Sequence, residues 1–124
     1  MIFGCGVDIV EIERIKNLRE RYQDRFLNRL FNKGEKKYCQ KKRWMDRHLS
    51  GRFAAKEAFI KALSSEAERL PWHDLEILNN KEGKPEVFLS GRTRDLIENL
   101  QIRNIFLSIS HSHTAAVAQV ILEK

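Results

Sequence analysis

Two carboxylates of this sequence stand in unexpected company. Asp8 closes the run IFGCGVD, and Glu57 lies inside the alanine-rich run GRFAAKEAFIKAL. Acids in such apolar settings suit Mg²⁺, which commonly takes one or two protein carboxylates and completes its shell with waters and phosphate oxygens. Four cations accompany them as candidates: Arg52, Lys61, Lys84 and His111. Cationic side chains beside two carboxylates would suit a diphosphate. A plainer reading stands next to this one. Glu57 and Lys61 are four residues apart, the spacing of a surface helix pair that stabilises by a few tenths of a kcal/mol.

Several other chemistries lack their residues. The sequence contains no G-x-x-x-x-G-K-[ST] loop, no G-x-G-x-x-G, no HExxH and no Cys/His zinc pattern. The segment SISHSH sets Ser110 beside His111, which invites a nucleophile–base reading. There is no G-x-S-x-G elbow, and neighbours on a strand point to opposite faces, so the two do not pair easily.

The elements that must carry these residues can be read from periodicity. Residues 2–9 alternate as a strand, with Phe3, Cys5, Val7 and Ile9 on one face and Gly4, Gly6 and Asp8 on the other. A strand with two glycines on one face usually has something close to its backbone, either a packed helix or a ligand beside Asp8. Ile12, Ile15, Leu18, Tyr22 and Phe26 recur at helical spacing. Asn32 and Glu35 have the spacing of a capping box, and a short basic helix through Tyr38 should follow. A long helix runs from about Asp46 to Leu63. At about 100° per residue, Leu49, Phe53, Phe59, Ile60 and Leu63 make a bulky face. Gly51, Ala54, Ala55, Ala58 and Ala62 make a small one roughly opposite. Ser50, Glu57, Lys61 and Ser64 form a narrow strip between, while Arg52 and Lys56 fall on the other side. DLEIL and EVFL read as strands around NNKEGKP, TRDLIENL as a short helix, NIFLSISHSH as a strand, and TAAVAQVILEK as a final strand with helix as its alternative. The order predicts a single α+β domain over residues 1–124, an antiparallel sheet packed against a long central helix.

Composition narrows the classes. A hydrophobic content of 42% with 32% charged residues describes a globular chain. No apolar run has membrane-spanning length, and the N-terminal segment lacks the basic start of a secretory signal. Cys5 and Cys39 have no metal-ligand spacing, so two free thiols in a reducing cytoplasm are expected. A net charge of +6 favours anionic partners. Nucleic acid is one such partner, but the arginines of the first helix alternate with acids and no nucleic-acid motif is present.

GCGVDIVEIERI, GRFAAKEAFIKAL, GKP and LSISHSHTAAVAQVILE occur in this order. Together they resemble the holo-acyl-carrier-protein synthases, the small type of 4′-phosphopantetheinyl transferase, over nearly the whole chain. The resemblance implies transfer of the phosphopantetheine arm of coenzyme A to a serine of apo acyl carrier protein, with release of 3′,5′-ADP, in support of fatty acid biosynthesis. It implies Asp8 and Glu57 as Mg²⁺ ligands and Lys61 at the phosphates. It implies two routes for Glu57 as base, directly or through metal-bound water, and the sequence leaves both open. Arg52, Lys61, Lys84 and His111 fall at coenzyme A positions. Arg14 matches a carrier-contacting position, and Arg21 and Arg25 join it by proximity and charge as a docking surface for a small acidic partner. A homotrimer with shared active sites is implied, with no role for nucleic acid or membrane. One departure stands out. Family members continue after KAL with a glycine-rich loop, whereas this chain has Ser64-Ser65-Glu66-Ala67-Glu68. That change predicts weaker coenzyme A binding or a helix longer by a turn, and leaves open a trimer that has lost activity.

Overall fold

The structure, a computed structural model, describes residues 1–67 and 70–124. Strand β1 (Ile2–Glu11) leads into helices α1 (Ile12–Tyr22), α2 (Asp24–Leu30) and α3 (Lys33–Gln40), then the long helix α4 (Met45–Leu63). Strands β2 (Leu75–Asn79) and β3 (Pro85–Leu89) follow, then helix α5 (Gly91–Asn99) and strands β4 (Asn104–His111) and β5 (Ala115–Glu123). β1, β5 and β4 form an antiparallel sheet in that order, and β2 and β3 form a separate hairpin. This is the expected α+β arrangement, with α4 packed across β1 and β5.

The two glycines of β1 explain how closely that helix lies. A Cβ on Gly4 would sit 2.1 Å from the Ala62 carbonyl oxygen, and one on Gly6 would sit 2.0 Å from that of Ala58. No side chain fits there, so the glycines serve the helix. The small face of α4 is buried as the wheel requires, and Leu49, Phe59 and Leu63 are buried on the bulky side. Asp8 shares the inner face of β1 with these glycines, opposite Ala118 of β5.

The outer face of the sheet is the surprise of the alternation. Val7, Ile9 and Phe106 lie there more than half exposed, with Ile9 at 70%. In register, Phe106, Ile121 and Cys5 form one row across the three strands, and Ser110, Val117 and Ile9 another.

Two expectations need correction. The apolar stripe from Ile12 to Phe26 is not one helix. It breaks at Gln23, whose φ of 49° reverses the chain while its N–H still bonds to the Arg19 carbonyl. Phe26 and Leu27 therefore reach the core from α2, while Tyr22 stays exposed. Second, α4 ends on a single 3₁₀ turn, Ser64–Ala67, with Ser64 at φ 56°. A non-glycine residue thus holds a conformation that glycine adopts freely. Glu68 lies outside the described residues.

Candidate active site

Asp8 and the Glu57–Lys61 strip meet where β1 crosses the second half of α4. Lys61 Nζ donates to Asp8 Oδ1 at 3.0 Å and to the Val7 carbonyl at 3.2 Å. The helical neighbour Glu57 is thus not the ion-pair partner of Lys61, which overturns the simple i,i+4 surface pair. Partial burial raises the pKa of Glu57, and the charge of Asp8 raises it further; Lys61 and Arg14 oppose both. Four charged groups from β1, α1 and α4 therefore share one electrostatic neighbourhood. Lys61 is half exposed and Asp8 largely covered, so the ammonium forms the outer lip of the cluster.

The donor set fits magnesium. Asp8 and Glu57 are hard oxygen donors, and Asp8 lies close enough to disfavour ionisation of Glu57, so a cation between them would be stabilised. Among the described residues no group of three or more His, Cys, Asp or Glu side chains could hold a metal. Two carboxylates leave several coordination positions for water and phosphate, as Mg²⁺ prefers.

The remaining candidates fall into other groups. Arg52 is only 3% exposed. Its guanidinium donates to Asn79 Oδ1 at 2.6 Å and lies 4.3 Å from the Tyr38 ring centroid, while its Nε has no hydrogen-bond partner among the described residues. It therefore ties α4 to β2 from beneath the surface. His111, at the end of β4, places its ring 6.1 Å from that of His48. Gly51 makes room for it, since a Cβ there would lie 2.8 Å from His111 Nε2. Burial and the charges of Arg47 and Arg52 lower the pKa of His111, against a backbone hydrogen bond with Arg47. Ser110 points to the outer face, as the alternation requires. Lys84 sits exposed in the β2–β3 turn, which Asn80 closes by accepting the Glu82 and Lys84 N–H groups. It lines a cleft of about 640 Å³ with Phe106, Ser108 and Gln119, away from Asp8.

Of the arginines, Arg14 joins the Asp8 and Glu57 neighbourhood. Arg21 lies over the Tyr22 ring, and Arg25 belongs to α2 because of the break at Gln23. Ile15 is fully buried beneath this surface. Sequence reasoning missed His48 and Arg47, which flank His111. Their one signal was position, since both precede Gly51 and Arg52 by about one helical turn.

A helix pressed onto a glycine-bearing strand, with an aspartate from the strand and a glutamate and lysine from the helix, defines a small α+β scaffold with a carboxylate–ammonium cluster at the strand–helix crossing. The chain belongs to the 4′-phosphopantetheinyl transferase superfamily, whose family model matches residues 4–118. It is 42% identical over 125 residues to the holo-[acyl-carrier-protein] synthase of Geobacter metallireducens, covering 100% of this chain and 99% of that one. The fold is similar to the crystal structure of holo-[acyl-carrier-protein] synthase from Neisseria meningitidis, with a TM-score of 0.90 and 30% identity over the full length of both chains. It is also similar to the Helicobacter pylori holo-[acyl-carrier-protein] synthase in complex with coenzyme A. There the TM-score is 0.82 at 31% identity, over 96% of this chain and 99% of that one.

Proposed function

We propose that this chain transfers the 4′-phosphopantetheine of coenzyme A to a serine of apo acyl carrier protein. The observation that carries the reading is the Asp8–Lys61 pair with Glu57 beside it, set on this family's scaffold. Asp8 and Glu57 would hold Mg²⁺, which supplies neutralisation of diphosphate charge. Lys61, with its ammonium at the exposed lip, turns toward a phosphate oxygen and stabilises charge that develops there. The serine oxygen forms a bond to the β-phosphorus as the bond to 3′,5′-ADP breaks in line, and the serine proton passes to the Glu57 carboxylate. Partial burial makes Glu57 a stronger base than an exposed glutamate.

Arg52, Lys84 and His111 stand apart from this cluster within one chain. That separation supports a coenzyme A site completed between chains. The exposed apolar face of Val7, Ile9 and Phe106 supports a homotrimer, since contiguous exposed apolar surface marks an interface. Light scattering showing a monomer at assay concentration would remove the shared site. No helix among the described residues is long and apolar enough to cross a membrane, and both cysteines are free, which supports a cytoplasmic setting. The deciding experiment incubates the protein with coenzyme A, magnesium and apo carrier protein, then weighs the carrier by mass spectrometry. A phosphopantetheine mass that appears only with magnesium is expected. Unmodified carrier, from folded enzyme and several carriers, sinks the reading.

A further inference from the structure

The molecule's positive charge is not where the docking arginines are. Between Glu11 and Arg25 five basic residues meet four acidic ones, so α1 and its exit are nearly neutral. Between Lys33 and Arg47 seven basic residues meet two acidic ones. Both of those acids are already spoken for. Glu35 is fully buried and paired with Lys56, and Asp46 forms a two-bond pair with Arg19 of α1. The ridge formed by α3 and the start of α4 therefore presents an excess of cations, with Asp24 of α2 the one acid lining the cleft of Lys33, Lys37 and Lys41. Lys33, Lys37 and Lys41 are exposed and form no ion pair with any described residue. Arg43 and Arg47 continue the ridge into a cleft of about 750 Å³ between α1 and α4, whose other wall carries Lys16. The basic surface is thus continuous with α1.

We propose that this ridge is the electrostatic capture surface for an acidic protein, which it holds while that partner settles on the neighbouring α1. This rests on the reading that the substrate is an acyl carrier protein. Charge complementarity over such a surface raises association rates more than final affinity, and acts over about 10 Å at 0.1 M salt. Nucleic acid is the less suited polyanion. Trp44 is the one exposed aromatic of the ridge, and Arg43 and Arg47 already lie 5.1 and 5.3 Å from its ring centroid, so the ridge lacks the row of aromatic faces on which successive bases stack.

The test compares wild type with the triple variant Lys33→Glu, Lys37→Glu, Lys41→Glu, whose side chains are solvent-exposed, after checking that both melt alike. Binding of fluorescently labelled apo carrier protein is followed by stopped flow, and transfer is assayed separately. At low salt the triple variant should bind the carrier about tenfold more slowly and lose most of the salt dependence of its association rate. Its KM for coenzyme A and its kcat at saturating carrier should be unchanged. A triple Lys→Gln variant should fall between the two. An association rate within twofold of wild type overturns the ridge, even if transfer proceeds normally. Carrier capture by wild type without transfer leaves the ridge standing and removes the transferase reading. A single-stranded RNA that binds wild type more tightly than the carrier does, and loses that affinity in the variant, overturns the choice of partner.

Discussion

Helix α4 carries two lysines five residues apart, and each is paired with a carboxylate from elsewhere in the chain. Lys56 meets Glu35 at 2.8 Å with both side chains fully buried. Its ammonium donates also to the Leu30 and Trp72 carbonyls, and Glu35 accepts from the Asn32 and Ile77 N–H groups. Every donor is used and nothing else can enter. Lys61 meets Asp8 at 3.0 Å with the lysine 54% exposed, and a second carboxylate, Glu57, stands near without an ion-pair partner among the described residues. The first pair ties α4 to α3 and β2 as structure. The second keeps spare valence and an open side, the condition for taking a ligand. The sequence pattern treats the two lysines alike; their surroundings decide their roles.

The sharpest break in that comparison comes from Lys56→Met. It leaves the Glu35 carboxylate buried without its cation, which should cost about 3–5 kcal/mol, a large share of a domain's stability. Burial already pulls the pKa of Lys56 down against the pull of Glu35, so the ammonium depends on its partner. Urea unfolding measures the loss. Adding Glu35→Leu should restore part of it, because the stranded charge is then gone. A Lys56→Met midpoint equal to wild type would make the pair incidental.

Asp8→Ala and Glu57→Ala should behave in the opposite way. Each removes a donor at an open site, so transfer should fall by about 10²–10³ while the urea midpoint moves little. Magnesium titration followed by calorimetry should show the affinity falling as well. Normal rates and normal magnesium dependence in both variants would remove the assignment. Lys61→Ala should be milder, about 2–3 kcal/mol in kcat, as for the loss of one preorganised cation. A wild-type kcat would make the Lys61–Asp8 pair a surface contact of little consequence.

The open pair was the more legible of the two. Asp8 and Glu57 were conspicuous because charges on faces that must be covered are out of place. Gly4 and Gly6 announced a close approach, though not that Ala58 and Ala62 would make it. Lys56 carried no such mark. Its partner lies 21 residues away, and two of its acceptors are backbone carbonyls set by the tertiary path. Glu35 was legible only as a cap, which is one of its three tasks. The break at Gln23 had no glycine or proline to signal it. For Arg52 the resemblance implies a ligand contact, while its place over the Tyr38 ring and its bond to Asn79 depend on the tertiary path and carry no mark in the residue type.

The smallest expected effect comes from a further ionisable group of α4, one with no carboxylate partner among the described residues. His48 lies between Tyr38 and His111, edge to face with each ring at 5.7 and 6.1 Å. The charges around it are cationic: Arg52, Lys42, Arg47 and, when protonated, His111. Burial first, and then these charges, push its pKa down to about 4 from 6.5. Glu35 opposes the effect of burial at Lys56; at His48 no carboxylate among the described residues does so. The unfolded chain therefore binds a proton that the folded chain refuses, so stability declines as pH falls from 6.5 toward 4 and is fully retained above that window. His48→Gln removes this contribution. Urea midpoints of wild type and His48→Gln should converge as pH falls through the window, with the difference between them constant above pH 7. Curves that stay parallel from pH 7 to 4 would mean that His48 titrates alike in both states, and that α4 tolerates an unpaired cation beside Arg52.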